Sequence, residues 1–101
     1  MLLIPISDLY AQTLSVTLAG QNCRIELAQK STGLVLDLYV NGALVIGGVL
    51  CRNRVRVVRS TYLKFAGDLV FIDQQAQSDP TSPGLGSRFL LYYVEAADLL
   101  V

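Results

Sequence analysis

Asn41-Gly42 lies between two apolar runs, L-V-L-D-L-Y-V from Leu34 to Val40 and A-L-V-I-G-G-V-L from Ala43 to Leu50. This stretch constrains the fold most, because an Asn-Gly pair between such runs is the strongest short-range hairpin signal. A type I′ turn needs positive φ at both central residues, which Asn tolerates and Gly takes freely. With a two-residue loop, Val40 falls opposite Ala43, Tyr39 opposite Leu44, Leu38 opposite Val45 and Leu36 opposite Gly47. Leu34, Leu36, Leu38 and Val40 then share the core face with Ala43, Val45, Gly47 and Val49. The opposite face holds Val35, Asp37, Tyr39, Leu44, Ile46, Gly48 and Leu50, too apolar for an ordinary solvated surface.

Composition sharpens this point. Of 101 residues, 52% are hydrophobic and only 16% charged, with mean hydropathy +0.48. A chain of this length reads as one domain, 1–101, burying about two-thirds of its unfolded surface at best. That apolar content overfills one small core, so part of it is expected in an interface with other chains. The formal net charge is +0, which attracts neither nucleic acid nor membrane globally and gives little protection against association.

Alternation extends the hairpin on both sides. Leu14, Val16 and Leu18 are expected inside and Thr13, Ser15 and Thr17 outside. After a turn at Gly20-Gln21-Asn22, Cys23, Ile25 and Leu27 face in, with Arg24 and Glu26 out. Ser31-Thr32-Gly33 leads into the central hairpin, completing a four-strand antiparallel meander. The opening L-L-I-P-I reads as a short edge strand with Pro5 at its margin, too short for a signal peptide or spanning helix. Ser7 to Gln12 is expected to connect, with a helical turn capped by Ser7 or Asp8. Leu69 to Asp73 and Ser87 to Glu95 read as strands, the latter apolar on both faces. Gln74 to Gly86 reads as a long exposed loop, Ser60 to Ala66 as strand or loop. The terminal Leu99-Leu100-Val101 is expected to dock on the domain or a neighbour. The expectation is an all-β domain with little helix: a small antiparallel β-barrel or sandwich of about seven to eight short strands.

Little in the chain supports catalysis. It contains no His and no Trp, and no nucleophile-elbow, phosphate-loop or metal-ligand spacing. Catalytic, cofactor and metal residues are therefore each read as none. Asp68 and Asp73 read as solvated strand-end carboxylates rather than an acid–base pair. Gly84-Leu85-Gly86 resembles half a dinucleotide fingerprint but precedes a strand, not a helix. Cys23 and Cys51 read as buried, reduced thiols, since Cys is among the most buried residue types.

One charged feature remains. Arg52, Arg54, Arg56, Arg59 and Lys64 lie in a stretch with no acid between Asp37 and Asp68. If that stretch is extended, Arg52, Arg54 and Arg56 share a face, and an inward Asn53 argues for a turn or bulge. The cluster suits an acidic protein surface or a polyanion, or else a solvated face whose Arg stems cover apolar surface. A nucleic-acid site would interleave aromatics, and only Tyr62 and Phe65 are near.

Several stretches together carry a resemblance. They are T-L-S-V-T-L-A-G-Q-N-C at 13–23, L-V-L-D-L-Y-V-N-G at 34–42 and G-V-L-C-R-N-R-V at 48–55. G-D-L-V-F-I-D at 67–73, D-P at 79–80 and G-L-G-S-R-F-L-L-Y-Y at 84–93 follow. The chain resembles, over nearly its whole length, the small baseplate plug proteins of contractile-tailed phages, a type described for a cyanophage and widespread in prophages. The resemblance implies a non-enzymatic structural component of the tail baseplate, in several copies near the central hub and tube. It also implies a place in the virion, after synthesis in the bacterial host cytoplasm. The expected partners are other baseplate, hub and tube proteins and further copies of the chain, with no nucleic acid and no membrane span. Val35, Tyr39, Leu44 and Ile46, with Arg52, Arg54, Arg56 and Arg59, are the expected interface residues. The competing expectation is a free-standing β-barrel that binds nucleic acid or a small ligand.

Overall fold

The computed structural model describes residues 2–59 and 65–95. The expectations for Ser60 to Lys64, and for the apolar end at 96–101, lie outside the described residues. Among the described residues seven strands form: β1 Leu2–Ile4, β2 Ala11–Leu18, β3 Gln21–Lys30, β4 Gly33–Val40, β5 Ala43–Leu50, β6 Asp68–Asp73 and β7 Phe89–Val94. They build two antiparallel sheets, β2-β3-β4-β5 and β1-β7-β6. No described strand of one sheet pairs with the other, so of the two expected architectures this is the sandwich and not the closed barrel.

The meander forms because its sequence alternates and its turns are short. The first turn is Ala19-Gly20, one residue earlier than expected, and Gln21 and Asn22 already belong to β3. Ser7 to Tyr10 contains no helical turn; Ser7 and Gln12 close this connection through their backbone and side-chain groups. Competing side-chain bonds of this kind draw short polar segments away from helix.

The central hairpin keeps its expected turn, with Asn41 and Gly42 at φ 52° and 84°. Val40 pairs with Ala43 and Tyr39 with Leu44, but beyond that the register shifts twice: Leu38 pairs with Ile46 and Leu36 with Val49. Each shift inserts one extra residue into β5, which is the geometry of a β-bulge. Gly48 makes the second possible. It sits at φ 64°, and its N–H donates to Asp37 Oδ1 at 2.6 Å. The expected pairs Leu38–Val45 and Leu36–Gly47 are therefore not formed. Ile46 is also not on the outer face: it lies opposite fully buried Leu38 and packs, as Val45 does, against the core.

Inner rows run across the meander in register, for example Leu14, Ile25, Leu38 and Ile46. From the other sheet, Ile4, Leu69, Phe71, Phe89, Leu91 and Tyr93 face them, and all join one hydrophobic cluster. Cys23 and Cys51 are buried, free thiols within it. Burial raises both, Cys51 to about 12, so neither is a thiolate near neutral pH.

The segment after β5 departs from an extended strand. It turns at Arg54 (φ 61°) and again at Arg59 (φ 60°), and runs along the open edge of β6. Arg54 N–H donates to Phe71 O at 2.8 Å and Val57 N–H to Leu69 O at 2.9 Å. Asn53 Oδ1 accepts from Asp73 N–H, so the Asn that argued for a turn caps the strand edge. Asp68 is 2% exposed, and its carboxylate accepts from the N–H groups of Val58, Arg59 and Leu69 at 2.7–2.8 Å.

The 74–86 connection is also more anchored than expected. Pro80, Ser82 and Leu85 are buried. Ser82 N–H donates to Gln29 Oε1 on β3, and Asp79 accepts from Asn53 N–H. At its root, the buried Asp73 carboxylate meets Arg88 through Nε at 2.9 Å and Nη2 at 3.0 Å, and accepts from Gln75 and Ser78 N–H. Neither Asp68 nor Asp73 is a solvated carboxylate. Both organise backbone.

Candidate functional site

The outer face of the meander follows from its register. One row runs Ser15, Arg24, Tyr39, Leu44; the next runs Thr13, Glu26, Asp37; a third runs Ala11, Ala28, Val35, Leu50. Leu44 is 57% exposed, whereas Val35 and Tyr39 are half-buried. The Arg24 guanidinium lies 4.0 Å from the Tyr39 ring centroid and 3.5 Å from Glu26. This arrangement covers one side of the ring and leaves Leu44 as the projecting apolar group beside it. The face is thus mixed: more polar than the hairpin alone suggested, because β3 contributes an arginine and a glutamate to it.

Arg52, Arg54, Arg56 and Arg59 are all exposed, and none forms an ion pair among the described residues. They do not form a period-two stripe, since the chain turns at two of them. They line the margin of the smaller sheet. The outer hairpin face belongs to the larger sheet, so the structure does not merge the two groups into one surface. Arg56 bridges Val70, which continues the row Leu3, Tyr92, Val70 on the outer side of the smaller sheet. Leu90, Ile72 and Val94 lie on that same side, half-buried, with Leu3 50% exposed. This second apolar face lies outside the central hairpin. Its signal was the last strand, apolar on both sides.

Two open concavities of about 400 and 440 Å³ border β2 and β3. The second is lined by Thr13, Glu26, Asp37 and Lys30 among others. Among the described residues, no group of three or more His, Cys, Asp or Glu could hold a metal ion. The constellation is one of partly apolar sheet faces, with exposed arginines along the margin of the smaller sheet that form no ion pair among the described residues.

Such a chain is, by fold, a small two-sheet antiparallel β-sandwich with exposed apolar and basic side chains on its sheet faces and margins. The family described as cyanophage baseplate Pam3 plug gp18 matches residues 1–96. The chain belongs to this family, and with it to the structural components of the phage tail baseplate. No curated protein matches it significantly.

Proposed function

We propose that the chain is a plug seated near the central hub and tube of a contractile phage tail baseplate, acting through protein–protein contacts and in several copies. The family match over 1–96 carries this reading, and exposed Leu44 beside the Arg24–Tyr39 pair supports it. A non-enzymatic role, a place in the virion after synthesis in the host cytoplasm, and no affinity for nucleic acid belong to the same proposal.

In this reading Val35, Tyr39 and Leu44 contact neighbouring baseplate chains, and Arg52, Arg54, Arg56 and Arg59 meet acidic groups there. Ile46 supports that face from beneath. The test is assembly of purified chain with hub and tube components, followed by co-sedimentation. Leu44→Lys should remove the chain from the assembly while leaving its circular dichroism and unfolding midpoint unchanged. Normal incorporation of that variant would discard the hairpin face as a contact. Replacing all four arginines with Ser should weaken incorporation and flatten its salt dependence.

A further inference from the structure

Among the described residues the two sheets have four edges, and these are not alike. The outer edge of β6 is covered by the 53–59 run, β1 has only three residues, and β5 is bulged twice. Edges blunted in these ways resist pairing with further strands. The fourth edge, β2, has eight residues, A-Q-T-L-S-V-T-L, with unbroken register to β3. It holds no charge, no proline and no bulge.

The two-residue turn at Ala19-Gly20 sets which groups this edge offers. Leu18 and Gln21 flank the turn, so hydrogen-bonded pairs fall on the even residues of β2. The bond from Gln29 N–H to Tyr10 O, at 2.7 Å, continues the same alternation. The N–H and C=O groups of Thr13, Ser15 and Thr17 therefore point away from β3. Among the described residues, none of them bonds to another backbone group outside the sheet. Leu14 and Val16, on the inner side, pack against the core but stay half-buried at this margin.

The segment also reads nearly alike in both directions about Ser15: T-L-S-V-T. We propose that a second copy of this chain adds here, β2 against β2, antiparallel across a twofold axis through Ser15. Thr13 then lies opposite Thr17 of the partner subunit, and Leu14 opposite Val16 of the partner subunit. Odd residues meet odd residues, so the free groups of Thr13, Ser15 and Thr17 each gain a hydrogen bond. A twofold perpendicular to the sheet keeps both apolar faces on one side, so Leu14 and Val16 gain cover. No like charges meet along the seam. The result is one continuous eight-stranded sheet. The inference rests on β2 alone and not on the baseplate reading, so each can fail separately.

The test uses the full chain in reducing buffer. Light scattering after size exclusion should give twice the 11.0 kDa chain mass. Ser15→Pro removes an N–H that makes no bond among the described residues, at an edge where proline is tolerated. It should raise the dimer dissociation constant at least about tenfold, through two lost hydrogen bonds, with unchanged circular dichroism. Ser15→Cys supplies a second measurement. Directly opposed Cα atoms in such a pair lie about 5.5 Å apart, within disulfide reach. Oxidised Ser15→Cys should therefore run as a covalent dimer on a non-reducing gel, and Thr13→Cys should not. A monomer at every concentration, a larger ring, a dimer indifferent to Ser15→Pro, or equal cross-linking at both positions would overturn the proposal.

Discussion

Asp73 shows how one carboxylate can hold a long connection in place. Its bidentate pairing with Arg88, together with N–H bonds from Gln75 and Ser78, lowers its pKa well below the ordinary carboxylate range. A depressed folded pKa stabilises the fold fully above the unfolded value of about 3.9. That contribution is lost as pH falls below this value toward the folded pKa. Asp73→Asn should accordingly lower the urea midpoint at pH 7, and the gap to the parent chain should close below about pH 4. A constant gap across that range would count against the ion pair as its source. Asp68 acts differently, through three accepted N–H bonds in a buried site. Asp68→Ala leaves those donors unmet and should cost about 2–5 kcal/mol by chemical denaturation. Both residues were visible in the sequence as acids at strand ends. Their burial was not, because the groups they serve come from other segments, 10 residues away for Val58 and 15 for Arg88.

Among the elements, β5 carries the clearest lesson. Its turn was legible, since Asn41-Gly42 suits a tight hairpin on local grounds alone. Its register was legible for only two pairs. Two bulges set the rest: the first turns Ile46 inward, and the second, at Gly48 and held by a hydrogen bond to Asp37 across the strand, returns Val49 to the core face. Gly48→Val tests this directly. No heavy atom lies within 4 Å of a β-carbon built there, so space is not the obstacle. The left-handed backbone alone should make the variant about 1–3 kcal/mol less stable. An unchanged unfolding free energy would mean that the bulge has relaxed. The 52–59 run makes the same point for charge. An extended chain would set its arginines at period two, but β6 has an open edge, and satisfying it bends the chain through two left-handed turns.

At the scale of the molecule, two faces of one hairpin respond in opposite ways to charge. Ile46→Lys places an ammonium against the core, so it should unfold the chain at lower denaturant, by about 2–4 kcal/mol. Leu44→Lys, on an exposed side chain, should fall within about 0.5 kcal/mol of the parent. Equal effects of the two would contradict the bulged register. The excess of apolar residues inferred from composition is partly resolved by two stacked sheets sharing one cluster. What is left over includes Leu44, the outer side of the smaller sheet, the β2 margin, and exposed Leu2, Leu9 and Tyr10.

From sequence alone came the all-β class, the meander, the Asn41-Gly42 turn, the two buried thiols and the baseplate plug family. These follow from local alternation, turn chemistry and motif identity, which a linear chain carries within a few residues of each position. The tertiary structure alone decided sandwich over barrel, the inward place of Ile46, the burial of Asp68 and Asp73 and the bent arginine run. Each of these depends on which distant backbone groups lack partners once the strands have paired, and that is set only when the sheets come together.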